Sequence, residues 1–279
     1  MHEQWRFIAS SMPKWLEDCR PFALNGAPAA YIPELAKASK ETLGVTLLAS
    51  DGSMINGGDS SYIFTMQSIS KVFTLLLALI DNGEEAVFAK VGMEPTGDDF
   101  NSMLKLELVE PGIPFNPLIN AGAIAVTSLI RGTSHEEATE RILAFIRLMA
   151  GDDSIGYNEA VSRSESATAY RNRSLAYFLK DNNVLEAHTD VEQVLSVYFN
   201  HCAIEVNCRH LARMALILAH GGLDPLTNRR LLPRRYVQIA KTFMLTCGMY
   251  NASGEFAIKV GIPAKSGVAG GIMAVVPGQ

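Results

Sequence analysis

The sequence predicts a mixed α+β fold in which segments from both ends of the chain complete one mainly antiparallel sheet, flanked by helices, with an all-helical subdomain inserted between them. Three patterns predict it. A strand-turn-strand signal lies near residue 50, helical patterns dominate from there to about residue 248, and strand signals return in the tail. The expected boundaries within a single domain, 1–279, are a sheet-containing part at about 1–67 and 250–279 and a helical part at about 68–249.

In chain order, Pro33 to Lys40 resembles a short helix. Gly44 to Ala49, the Asp51-Gly52 turn and a second extended stretch form a β-hairpin signal. Ser68 opens a helical stretch, Ile69 to Leu79, that is apolar nearly all round and therefore expected to be buried, with Asn82-Gly83 as its C-cap. Residues 92–116, rich in Gly, Pro and Asp, suggest an ordered connection of short pieces. Ser134-His135-Glu136-Glu137 is a capping box ahead of Ala138 to Ala150. Asp190 caps Val191 to Phe199, Asn207 caps Cys208 to His220, Gly221-Gly222 ends that helix, and Pro233 suits a first helical turn. Strands are expected at Glu255 to Val260 and at Gly271 to Val276, around the glycine-rich Ala264 to Gly271.

At 279 residues the chain is long enough for a sizeable core, and 48% hydrophobic against 19% charged residues is a globular balance. A net charge of −5 argues against nucleic-acid and anionic-membrane partners. The apolar runs Leu75 to Ile80 and Met214 to Ala219 are far shorter than the roughly 18 residues a membrane span needs. The N-terminus lacks a basic stretch followed by an apolar one, and Cys19, Cys202, Cys208 and Cys247 form no evident disulfide framework, so a cytoplasmic protein with reduced thiols is expected. His201-Cys202 followed by Cys208 and His210 matches no common zinc spacing, so no metal is expected.

Chemistry enters at Ser68-Ile69-Ser70-Lys71. A serine at the start of a buried helix with a lysine three residues on places both side chains on one face. Burial lowers the lysine pKa so that the amine can take the serine proton. Lys265-Ser266-Gly267, ahead of a strand, is the kind of triad that faces such a serine, and its glycines let the Val268 and Ser68 N–H groups form an oxyanion hole.

The sequence resembles the serine-dependent glutaminases of bacterial type over nearly its whole length. The resemblance rests on Tyr31 to Ala36, Gln67 to Lys71, Asn116 to Ala123, Ser164-Glu165 with Asn172, Tyr198-Phe199, Cys247 to Tyr250 and Ala264 to Gly271. It implies a β-lactamase-like (penicillin-binding-like) fold and hydrolysis of L-glutamine to L-glutamate and ammonia. It also implies Ser68 as nucleophile, Lys71 as its base and Tyr250 as a proton relay. Substrate contacts are expected from Tyr31, Ser68, Asn120, Glu165, Asn172, Tyr198, Tyr250 and the Val268 backbone. No cofactor is expected, and a homo-oligomer, dimer or tetramer, is.

Two other readings fit the Ser-Lys pattern: a penicillin-recognising acyl enzyme, and a non-enzymatic protein that binds glutamine. The first leaves Asn116 to Ala123 and Cys247 to Tyr250 unexplained; the intact Ser68 and Lys71 oppose the second. The chain departs from the family pattern in two places. It stops at Pro277-Gly278-Gln279, where a further strand and helix are expected, and Ala169 stands where the family often has glycine.

Overall fold

A computed structural model describes residues 2–97, 106 and 112–278. The chain opens with helix α1 (His2–Ala23), which rests on the hairpin of β1 (Gly44–Leu48) and β2 (Met54–Gly58). That hairpin is antiparallel, pairs Leu48 with Met54 and turns through Gly52 at φ 86°, as its Asp-Gly dipeptide requires. The expected helix at Pro33 to Lys40 is a single 3₁₀ turn, Leu35–Lys37.

Helix α2 (Ser70–Phe88) is the axis of the molecule. Phe73, Leu75, Leu76, Ala78 and Leu79 are fully buried, because the helix is covered on successive faces by α3 (Asn120–Thr127), α4 (His135–Ala150) and α9 (Arg234–Cys247). Each buried leucine contributes about 1.5–3 kcal/mol relative to exposure. The expected stop at Asn82-Gly83 is a kink rather than an end: Gly83 takes φ 81° and the helix resumes to Phe88. Much of the expected connection at residues 92–116 lies outside the described residues.

The other helices are α5 (Glu159–Thr168), α6 (Tyr170–Asp181), α7 (Val191–Cys202), α8 (Cys208–Ala219) and α10 (Ser253–Lys259). Their caps follow the sequence. Ser134 Oγ accepts from Glu137 N, Asp190 from Glu192 N and Gln193 N, and Asn207 from His210 N. His210 returns the bond to Asn207 N, completing a reciprocal box. The expected strand at Glu255 to Val260 is instead α10. Its alternation of Phe256, Ile258 and Val260 imitates a strand, yet Ile258 is 88% exposed while Phe256 and Ala257 are both half-buried, and the helix packs on α9.

The remaining strands are β3 (Phe64–Thr65) with β4 (Glu205–Val206), β5 (Leu223–Asp224) with β6 (Arg229–Arg230), and β7 (Ala264–Ser266) with β8 (Ile272–Ala274), all antiparallel pairs. Among the described residues no ladder joins the N-terminal hairpin to the C-terminal one. Both instead pack on α8, with Met273 and Val275 buried in the central core. No helix among the described residues is long and apolar enough to cross a membrane.

Candidate active site

The turn that presents Ser68 is pinned from two sides. Met66 N donates to Ile204 O at 2.8 Å, and Gly267, at the end of β7, lies so close that a Cβ there would come within 2.5 Å of Met66 O. Between these contacts Gln67 adopts φ 47°, a left-handed conformation that a non-glycine residue holds only when its surroundings impose it. Ser68 follows in a 3₁₀ turn, Gln67–Ile69, that leads into α2. Neither the Ser68 N–H nor the Val268 N–H finds an acceptor among the described residues.

Lys71, in the first turn of α2, is fully buried. Its Nζ donates to Asn120 Oδ1 at 2.6 Å and lies 5.8 Å from the centre of the Tyr198 ring. Asn120 arrives there because Asn116 Oδ1 accepts from Leu118 N and Ile119 N, turning the chain into α3 at its first residue. Gly122 permits the turn, since a Cβ would fall 1.9 Å from Asn116 O. Asn120 Nδ2 then donates to Asn172 Oδ1 at 3.0 Å. Burial pushes the Lys71 amine down to about 8, against the raising pull of Cys202 and Glu165. The N-terminal dipole of α3 disfavours positive charge at the same place.

Glu165 is buried on α5, and its Oε2 has no partner among the described residues. Desolvation raises its carboxyl to about 8, with Lys71 pulling the other way. The two-turn spacing from Glu165 to Asn172 does not run along one helix. Ala169, at φ −82° and ψ 37°, separates α5 from α6, and Glu165 and Asn172 approach the Lys71–Asn120 pair from two helices. Tyr198 is buried on α7, where burial raises its phenol well above the usual value. Tyr31 is more open, with 54% of its surface exposed, and its carbonyl accepts from Thr168 Oγ1 of α5 at 3.1 Å.

Tyr250 closes the opposite wall. It takes φ 53°, held by Ser253 Oγ, which donates to Tyr250 O at 2.7 Å and accepts from Met249 N at 3.0 Å. Burial raises its phenol, with Ser68 and Ser266 pulling the other way, and its hydroxyl donates to Ser266 O at 3.3 Å. Beneath the ring, 4.2 Å from its centre, the fully buried Lys265 Nζ donates to Gly248 O at 3.0 Å and Ser266 O at 2.7 Å. Burial, then the charge of Lys71, drives the Lys265 pKa far down.

The residues chosen from sequence are thus brought to one region, with Val268 packed against the small cluster of Ile32, Leu35, Val161 and Ala203. Tyr250 is close enough to Ser68 for the serine to lower its phenol pKa, whereas Lys71 is bonded to Asn120. Sequence reasoning missed Gln67, Ser70, His201 and Cys202 as parts of this wall. Cys202 is a buried thiol whose pKa burial pushes up, with Ser70 and Tyr198 pulling it the other way. Only its place after Tyr198 on α7 hinted at this. A cleft of about 620 Å³, lined by residues including His135, Glu140, Ser162 and Glu192, contains none of the candidate residues. No cluster of three or more metal-ligating side chains occurs among the described residues.

A statistical model of the Glutaminase family matches residues 26–279. The chain belongs to the glutaminase family. The glutaminase of Alkaliphilus metalliredigens (strain QYMF) is 56% identical to it over 266 residues, 95% of this chain and 87% of the relative. That of Geobacillus thermodenitrificans (strain NG80-2) is 53% identical over 95% of this chain and 85% of the relative. Among solved structures, a probable glutaminase of Bacillus subtilis superposes with a TM-score of 0.89 at 45% identity, over 96% of this chain and 82% of that one. A Bacillus subtilis glutaminase in covalent complex with 5-oxo-L-norleucine, formed by its reaction with 6-diazo-5-oxo-L-norleucine, superposes with a TM-score of 0.87 at 44% identity, over 96% and 85%. The fold of this glutaminase is the β-lactamase-like one that its motifs imply.

Proposed function

We propose that the enzyme hydrolyses the side-chain amide of L-glutamine through a γ-glutamyl ester on Ser68, activated by Lys71. The observation that carries this reading is the buried Glu165 oxygen without a partner, in the field of Lys71. A desolvated, unsatisfied carboxylate calls for a cation, and the α-ammonium of an amino acid supplies one. The hydroxyls of Tyr31 and Tyr198 and the amides of Asn120 and Asn172 supply neutral donors for the rest of the substrate.

Ser68 Oγ bonds to the amide carbon as its proton passes to neutral Lys71, and the oxyanion rests on the Ser68 and Val268 N–H groups. The C–N bond then breaks. Its electron pair leaves with nitrogen, protonated through Tyr250 or Lys71, as ammonia. Water adds to the ester carbon, the C–O bond to Ser68 breaks, the serine regains its proton and glutamate departs. Cysteine usage supports a cytoplasmic setting for this reaction, and the family resemblance supports a homo-oligomer.

The test is covalent capture combined with turnover. Treatment with 6-diazo-5-oxo-L-norleucine should block ammonia release from glutamine, and peptide mapping should find the adduct on Ser68. An adduct elsewhere, hydrolysis of a chromogenic β-lactam in preference to glutamine, or calorimetric binding of glutamine without ammonia release overturns the reading.

The pH profile is a second check. Lys71 works as the free amine and Glu165 as the carboxylate, and both forms gain population as pH rises through about 8. From pH 6 towards 8, kcat/KM, which reports the free enzyme, should climb by about ten- to a hundredfold per unit. It should fall again as the substrate ammonium deprotonates. With substrate bound, the ammonium beside Glu165 holds the carboxylate ionised, so kcat should climb less steeply. A flat kcat/KM across this range contradicts the roles of both residues.

A further inference from the structure

Behind the nucleophile turn lies a histidine that the chemistry above does not use. His201, on α7, is 1% exposed and meets the Tyr198 ring edge-on at 5.2 Å. Its Nδ1 lies 2.7 Å from Ser70 Oγ and its Nε2 lies 3.2 Å from Thr127 Oγ1. Burial, then the nearby Lys71, pushes its pKa down to about 3, so at working pH the ring carries a single N–H.

Hydrogen count and contact distance together assign that N–H. Ser70 Oγ is also 2.7 Å from Gln67 O, and Thr127 Oγ1 is 2.7 Å from Ala123 O. Four contacts share three hydrogens, one from each hydroxyl and one from the ring. Assigning them to the three 2.7 Å contacts makes Ser70 donate to Gln67 O, Thr127 donate to Ala123 O and His201 Nδ1–H donate to Ser70. The longer Nε2 contact is left without a hydrogen of its own. The other tautomer takes the Ser70 proton for the ring and releases Gln67 O from the hydroxyl.

Gln67 O matters because it belongs to the same peptide unit as the Ser68 N–H. In a trans peptide the carbonyl and the N–H point in opposite directions, so holding one aims the other. We propose that His201, protonated on Nδ1, is a positioning residue: it commits the Ser70 hydroxyl to Gln67 O and so aims the Ser68 N–H into the oxyanion hole. This rests on the acyl-enzyme reading, in which that N–H receives the oxyanion. It gives the left-handed Gln67 a second restraint, beside the Ser70 N–H that also bonds Gln67 O.

Histidine-selective ¹⁵N NMR of the wild-type enzyme should find His201 with Nδ1 protonated and Nε2 bare. An Nε2-protonated ring overturns the proposal whether or not any variant folds. In kinetics, His201→Leu and Ser70→Ala should each lower kcat about 10²-fold with KM held within about threefold, the pattern of a misdirected transition-state donor. The double variant should be no worse than Ser70→Ala. His201→Gln, which returns an amide donor to Ser70, should recover most of the loss. A folded His201→Leu protein with wild-type kcat, or one in which KM rises as kcat falls, refutes the proposal. Ser68→Ala run alongside separates the two ideas. Turnover there sinks the acyl-enzyme reading itself, whereas an inert Ser68→Ala beside an unimpaired His201→Leu sinks only the positioning role.

Discussion

Ser68→Ala should lower kcat for glutamine by about 10⁴-fold or more, the scale on which loss of a catalytic nucleophile is felt. The expectation follows from what the hydroxyl does and does not hold. The neighbouring Tyr250 phenol donates to Ser266 O independently of Ser68, so that wall stays in place. Lys71 remains bonded to Asn120, and the Gln67 turn remains clamped by Ile204 and Gly267. Ser68 is 7% exposed and the substitution removes only a small hydroxyl, so the variant should fold and melt within a few degrees of wild type. It should still bind glutamine by calorimetry, and the diazo-ketone should leave no adduct on its turn. Ammonia release within tenfold of wild type removes Ser68 from the mechanism.

Glu165→Gln should act on binding instead. Losing one partner of a desolvated ammonium–carboxylate pair costs about 2–5 kcal/mol, so KM for glutamine should rise about 30-fold or more while the variant stays folded. Stability should move the other way. In the folded protein the carboxyl titrates near 8, above the 4.5 of an ordinary glutamate, so the native state holds a proton that the unfolded chain has released. The stability tied to this group is fully present below about pH 4.5 and is lost as pH rises through about 8. A neutral amide escapes that loss. Thermal melts should show Glu165→Gln gaining on wild type between pH 5 and pH 9. An unchanged KM, or an advantage that shrinks with pH, contradicts the assigned environment.

What could be seen in the sequence was local. Ser68 and Lys71 are neighbours on one helical turn, and Asp190 and Asn207 announce the helices that follow them. The Asn116 to Ala123 motif matches the family pattern in sequence, but its physical content lies in three dimensions. Asn116 builds a turn, Gly122 yields space to it, and Asn120 is thereby delivered to Lys71. Residues 255–260 misled because a two-residue alternation in so short a span fits a strand as well as a helix lying along a neighbour. His201 and Cys202 read from sequence as a polar histidine and a core thiol in place of zinc ligands, and nothing more. The partners of His201, Ser70 and Thr127, are far away in sequence, and no spacing rule reaches across α7, α2 and α3.

The clamp on the Gln67 turn also bears on how the enzyme comes into being. Ser68 stands at the head of α2, yet its turn is held by Ile204, just before β4, and by Gly267, just after β7, both distant from it in sequence. Closing such contacts costs loop entropy that local helix formation does not. The nucleophile therefore keeps its orientation only in a chain whose distant segments have all docked, and a chain with its helices formed but β7 undocked lacks the grip that presents Ser68.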